Sequence, residues 1–169
     1  MTEVIVAESE IHGLGVFAVR DFAEGETVLL MDDSRVVNDE HPLRPGLGEF
    51  DYHCDYLEGG KVIFQQYPER HINSSCDPNA FARRSGGTSR VVARRFIKAG
   101  EEITYDYIID CHGGQVWQCR CGSRRCRDTI VSSFFELPLE LQIEYLPLLN
   151  EWFVAEHREQ VECLRGRAR

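Results

Sequence analysis

Three cysteines packed into eight residues are the clearest chemical feature of this chain. Cys119-Arg120-Cys121-Gly122-Ser123-Arg124-Arg125-Cys126 has the spacing C-x-C-x4-C, with a glycine inside the turn. Thiolates this close can bind one zinc ion, but a structural zinc site is tetrahedral and closed, so a fourth ligand must come from elsewhere. Four thiolates around a dication leave a formal charge of about −2. Arg120, Arg124, Arg125 and Arg127 flank the cluster and are placed to offset that charge, and they favour the deprotonated cysteine that zinc requires. A catalytic zinc is disfavoured, because the cluster offers no histidine or carboxylate and no open position. The competing readings are unrelated thiols or a cysteine-rich redox protein, which predicts disulfides and no metal. The chain has seven cysteines, an odd number that does not suit a disulfide framework. Cys54, Cys111 and Cys163 are expected to be packing residues. His41, His53, His112 and His157 have no neighbour at ligand spacing and are expected to be solvent-facing or satisfied.

The elements that must position these residues are short. Strand-like runs at Glu3–Ala7, Gly15–Val19, Glu26–Leu30, Lys61–Phe64, Ser89–Phe96 and Glu102–Thr104 are separated by Gly, Asp and Pro. Turns such as Ala23-Glu24-Gly25 and Lys98-Ala99-Gly100 bound several of them, which predicts small curled sheets rather than a parallel βαβ array. Residues 38–48 read as a loop. The last third changes character: Leu137-Pro138 opens a helical segment, Pro147 interrupts it, a second piece runs from Leu148 to Gln160, and the tail from Arg165 is expected to fray.

The whole-chain totals bound the answer. A chain of 169 residues suits one domain. With 28 acidic residues against 19 Lys and Arg, its net charge of −9 argues against a surface that grips nucleic acid. No apolar run reaches the length of a membrane span and no signal pattern precedes the first strand, so a cytoplasmic protein is expected, or a nuclear one if the source has a nucleus. Residues 21–60 hold eleven Asp and Glu against only Arg35 and Arg44, whereas residues 83–98 carry Arg83, Arg84, Arg90, Arg94, Arg95 and Lys98. Solvated faces of opposite sign explain this; an acidic surface that attracts a basic partner is the sharper alternative.

Four segments together resemble the SET domain. Ile11-His12-Gly13-Leu14-Gly15-Val16-Phe17-Ala18 is similar to the family's GxGxFA motif, and Arg70-His71-Ile72-Asn73-Ser74-Ser75-Cys76-Asp77-Pro78-Asn79 to its R-x-I-N-H-S-C-x-P-N. Gly100-Glu101-Glu102-Ile103-Thr104-Tyr105-Asp106-Tyr107 looks like GEE-(L/I)-T-(F/Y)-DY, and the cysteine cluster looks like a post-SET segment. One such match is cheap, but four in family order are not. The resemblance covers residues 3–128 and implies a mostly β fold of small curled sheets with a knot-like C-terminal crossing. It divides the chain into a SET domain at 1–110, a zinc segment at 111–128 and a helical extension at 129–169.

The activity implied is that of a protein-lysine N-methyltransferase using S-adenosylmethionine, with a lysine-bearing, basic protein or peptide as partner. A catalytically weak, zinc-stabilised binding module is the alternative. By the same resemblance, Cys76 completes a structural zinc site with Cys119, Cys121 and Cys126. The methyl donor would meet Gly13, Leu14 and Gly15 through the backbone and Asn73 through its side chain. Arg70, His71 and Ser74 would complete that surface, and Trp117 would cover the adenine. Ser74 stands where the family usually has His, a position that contacts the adenine largely through its backbone. Tyr107 would be the central catalytic residue, and Tyr105 the one that limits the number of methyl groups, with monomethylation expected. Tyr52 is a candidate for the lysine channel, although an aromatic in a strand is more often core. Taken alone, Tyr105 and Tyr107 would also read as core.

Overall fold

The computed structural model describes residues 3–168. The strands are β1 (Val4–Glu8), β2 (Leu14–Ala18), β3 (Thr27–Met31), β4 (Val36–Val37), β5 (Cys54–Tyr56) and β6 (Val62–Phe64), followed by β7 (Asn73–Ser74), β8 (Ala80–Ser85), β9 (Thr88–Ala93), β10 (Glu102–Tyr105), β11 (His112–Gln118) and β12 (Thr129–Ser133). Three helices follow, α1 (Leu139–Tyr145), α2 (Glu151–Glu156) and α3 (Arg158–Arg167). The strands form four small sheets in the orders β1-β2-β10-β7, β3-β9-β8, β4-β6-β5 and β11-β12. The mostly β architecture of small curled sheets expected from the sequence is therefore the one observed.

Local chemistry explains most of these elements. In β2, Val16 and Ala18 alternate inward and are buried, and Val4 of β1 joins them. Gly25 and Gly100 adopt positive φ (81° and 86°), and their amides donate to the Ala93 and Ala18 carbonyls at 2.8 Å each. These two turns fold β3 against β9 and deliver β10 to β2.

Several boundaries differ from expectation, each for a physical reason. The run expected to reach Phe96 stops at Ala93, and Phe96 is exposed. Strand β8 escaped the sequence reading because Arg83 and Arg84 make it look solvated. Distant partners engage them: Arg84 lies between Asp33 and Asp55, and Arg83 donates to the Pro147 and Leu149 carbonyls. The two charge blocks are thus partly spent on each other, and Glu49 is taken by Arg35 and Arg44. That weakens the case for a free acidic docking face. The tail does not fray where expected, since α3 continues to Arg167.

Two apolar cores result. Val16, Phe22, Ile72, Val91, Ile97 and Ile103 centre the first, between the sheets. Ile108, Phe134, Tyr145, Phe153, Val161 and Leu164 centre the second, and Cys76, Trp117, Cys119 and Cys121 pack into it. The cysteine segment and the C-terminal helices therefore share one core. No helix among the described residues is long and apolar enough to cross a membrane. Phe153 is fully buried among Phe134, Phe135 and His157. Phe153→Ala should cost about 3–5 kcal/mol of unfolding free energy, measured by denaturant titration, and a loss below 1 kcal/mol would mean that the helices do not share this core.

Candidate active site and thiolate cluster

The site is assembled where β7 lies parallel to β10, with Asn73 opposite Thr104 and Ser74 opposite Tyr105. Asn73 is buried, and its Nδ2 lies 2.9 Å from Glu102 Oε1, 3.0 Å from the Leu14 carbonyl, 3.1 Å from Ser9 Oγ and 3.2 Å from the His12 carbonyl. Its two protons are shared among four acceptors, so this one amide fastens the His12–Leu14 turn to the centre of the site. Ser9 Oγ donates to Glu102 at 2.8 Å and accepts from the Ile11 amide at 3.0 Å, closing the other side of the turn. Gly13 occupies that turn at φ 51°, and Leu14 is exposed. Gly15 is required by close approach: a Cβ would overlap Glu102 Oε1 and sit 3.0 Å from Ser9 Cβ. Ser9 and Glu102 were not assigned from the sequence. Glu102 lay inside a quoted motif, whereas Ser9 carried no signal.

Tyr107 donates its hydroxyl to the Ile72 carbonyl at 2.7 Å, and its amide donates to Ser74 Oγ at 3.3 Å. Serine at position 74 thus holds the Tyr107 backbone. Tyr107 is 42% exposed as a residue, while burial dominates the environment of its phenol. Tyr105 is buried, receives a hydrogen bond from Gln65 Nε2 at 3.2 Å and lies 5.3 Å from Tyr107 between ring centroids. Burial holds both phenols above their ordinary range; Tyr107 adds to the effect on Tyr105, and the Asp55 carboxylate adds to it on both. Both rings are therefore neutral hydrogen-bonding groups at physiological pH, unsuited to act as phenolate bases.

Arg70 and His71 lie in the short turn that precedes Asn73, and Trp117 lies on β11. Arg70 Nε donates to His71 Nε2 at 3.3 Å, and the His71 ring packs 5.9 Å from His53 and 6.0 Å from Tyr67. Burial lowers the pKa of both histidines. Trp117 stands opposite Ile130 in the β11-β12 hairpin and packs on the C-terminal core. Tyr52 is 70% exposed and stacks on Phe50, so the core reading of this residue is corrected. A cleft of 530 Å³ opens between the β1-β2 hairpin and the cysteine segment, lined by Glu8, Glu10, Ile11, Glu102, Arg120 and Gly122 among others.

The four sulfurs of Cys76, Cys119, Cys121 and Cys126 lie within 4.8 Å of one another, a spacing that suits a single metal ion. None of the seven cysteines is disulfide-bonded, contrary to the redox reading. Gly122 turns the segment at φ 67°, and the Cys119 amide donates to the Asp128 carbonyl at 2.6 Å. The flanking arginines divide their work. Arg127 reaches Cys76 Sγ through its amide at 3.4 Å and its Nε at 3.3 Å, whereas Arg125 is committed to Glu144. Cys54 and Cys111 are half-buried; Cys163 is exposed, which corrects its assignment as a packing residue. His112 and His157 pack edge to face 4.9 Å apart beside Phe135.

Comparison with known proteins bears directly on this arrangement. The SET domain family profile matches residues 13–108, which span the glycine turn, the Asn73 segment and Tyr107. The chain belongs to the SET domain family. A histone-lysine N-methyltransferase of Candida albicans, described as H3 lysine-36 specific, is 32% identical over 138 residues, covering 74% of this chain and 16% of that protein. Human histone-lysine N-methyltransferase 2B is 32% identical over 133 residues, covering 72% of this chain and 5% of its own length. The chain thus spans a small part of these relatives. A crystal structure from Plasmodium falciparum, described as a histone methyltransferase, superposes with a TM-score of 0.50 at 18% identity, covering 63% of this chain and 94% of that one, and supports the fold. The SET profile ends at Ile108, before the cysteine segment and the helices that follow it.

Gly15→Ala tests the close approach at the centre of this SET domain. The added methyl must displace Glu102 from Ser9 and Asn73, so stability should fall by about 1–3 kcal/mol in thermal or denaturant unfolding. An unchanged midpoint would show that the Glu102 contact is dispensable.

Proposed function

We propose that this SET domain is an S-adenosylmethionine-dependent protein-lysine N-methyltransferase acting on a lysine of a basic protein such as a histone. The observation that carries the reading is the Tyr107 hydroxyl, anchored on the Ile72 carbonyl at 2.7 Å directly beside buried Asn73. The names of the relatives cited above, both histone-lysine N-methyltransferases, support the same substrate class.

The residues present fit the methyl donor. The His12–Leu14 turn offers backbone at Gly13 that no side chain crowds, Asn73 holds that turn through the His12 and Leu14 carbonyls, and Glu102, bonded to Asn73, lines the adjoining cleft. Bound there, S-adenosylmethionine supplies an activated methyl group on a sulfonium. Gly13, Leu14, Gly15, Arg70, His71, Asn73, Ser74 and Trp117 are its proposed contacts. The chain's own residues then align and desolvate. A lysine with a pKa near 10.4 in water must lose its proton to react, and an enclosed channel disfavours its charged form. Tyr107 and the Ile72 carbonyl present oxygen to the reacting centre and orient it through weak C–H···O contacts. Most of the acceleration comes from holding the reactants in line. Tyr105, fixed by Gln65, restricts the space for further methyl groups, which supports monomethylation.

Zinc is the proposed occupant of the thiolate cluster, because four converging sulfurs match its preference for a closed tetrahedral site. Its role is structural, tying the segment that carries Cys119 to the segment that carries Asn73. Elemental analysis should give one zinc per chain, and Cys121→Ser should lower that content well below one; a metal-free wild type would overturn the assignment.

Tyr107→Phe should lower kcat on the order of 10²-fold while leaving S-adenosylmethionine affinity by calorimetry within a few-fold. Equal losses in both would make Tyr107 structural. The raised tyrosine pKa values add a pH prediction: neutral phenols persist above pH ~10, so the rate should climb with pH as the lysine deprotonates, with no falling limb near 10. A falling limb there, absent in Tyr107→Phe, would show that this phenol ionises.

A further inference from the structure

We propose that Arg127 is a positioning residue that carries the order of the thiolate cluster to the loop bearing Tyr107. Its backbone amide and its Nε both donate to Cys76 Sγ, at 3.4 and 3.3 Å. From the other end of the same side chain, Nη2 reaches both oxygens of Asp106, at 2.9 and 2.8 Å. Asp106 is 1% exposed and directly precedes Tyr107. Its carboxylate also accepts from the Ile108 amide at 3.1 Å and the Tyr145 hydroxyl at 3.2 Å. One guanidinium therefore bridges a cluster sulfur to the residue that sets the backbone of the central tyrosine.

The chemistry suits that task. Amide and guanidinium donors to a ligating sulfur reduce its charge and fix its orientation, as outer partners of metal ligands do. The planar fork of arginine can hold a sulfur and a carboxylate at once, whereas the point charge of lysine cannot. Asp106 is also held from the α1 side by the Tyr145 hydroxyl, so Arg127 and Tyr145 grip this carboxylate from two elements. Arg120 and Arg125 cannot substitute, since one lines the cleft and the other is bound to Glu144.

The kinetic part of the test rests on the methyltransferase reading, and the structural part does not. Wild type, Arg127→Met, Arg127→Lys and Asp106→Asn would be compared as zinc-loaded chains of the same 169 residues. The measurements are zinc content, amide hydrogen exchange over residues 105–110 and 119–126, S-adenosylmethionine affinity, and kcat and KM on a lysine peptide. The Met and Asn variants should keep one zinc and near-normal cofactor affinity, exchange faster over 105–110 but not 119–126, and lose kcat ~10–100-fold with little change in KM. Arg127→Lys should recover only part of the loss. Unchanged exchange over 105–110, or equal loosening of both segments, would overturn the role. If Arg127→Met sheds its zinc, Asp106→Asn decides by the same exchange readout, because it leaves Arg127 on Cys76. A wild type without turnover would sink the methyltransferase reading and leave the exchange comparison to judge Arg127. Normal turnover in the Met and Asn variants would sink Arg127 alone.

Discussion

The parallel pairing of Asn73 with Thr104 and Ser74 with Tyr105 is only two residues long, yet it joins the segment of Asn73, Ser74 and Cys76 to the segment of Tyr105, Asp106 and Tyr107. Asn73 and Ser74 lie on one strand, and Cys76 follows two residues later. On the other strand Tyr105 is paired, with Asp106 and Tyr107 next. A parallel ladder this short is weak. It is braced by the Ser75 amide on the Tyr105 carbonyl at 3.2 Å and by the Thr104 amide on Asn79 Oδ1 at 2.8 Å. Asn79 Nδ2 also donates to the Glu102 carbonyl at 2.8 Å, and the Tyr107 hydroxyl reaches back to Ile72.

Each such hydrogen bond contributes about 1 kcal/mol net, so the whole brace amounts to a few kcal/mol. A structural zinc contributes an apparent ~10–16 kcal/mol. On the proposed assignment, the metal therefore dominates the local stability, and the hydrogen bonds decide which geometry that stability enforces. The second core works in the same direction, because Cys76, Cys119 and Cys121 pack against the residues that seat the C-terminal helices. The helical extension is continuous with the site: Tyr145 of α1 holds Asp106, and Asn150 donates to Asp110 at 2.9 Å.

What could be read from the sequence was what is encoded within a few neighbouring residues. The glycine turn, the Asn73 motif, Tyr107 and the three clustered cysteines are contiguous patterns, and Cys76 was reached through a family resemblance carried by such patterns. The structure brings its sulfur within 4.8 Å of the others. Features that depend on distant partners were not legible. Strand β8 looked solvated because nothing near Arg83 and Arg84 in the sequence announces Asp33, Asp55 or the Leu149 carbonyl. Ser9 became important only when folding carried it to Glu102, 93 residues away. The acidic first half suggested a docking face, but several of its carboxylates are held by arginines. Tyr52 illustrates the opposite error, an aromatic whose type suggested core and whose ring is exposed.

The central claim is methyl transfer to a lysine, and tandem mass spectrometry of a histone-tail peptide library incubated with zinc-loaded protein and S-adenosylmethionine tests it most directly. The account predicts a gain of one methyl group on a lysine side chain, dependent on Tyr107. Stoichiometric binding of the methyl donor with no methylated lysine, on histone or other basic peptides, would contradict it.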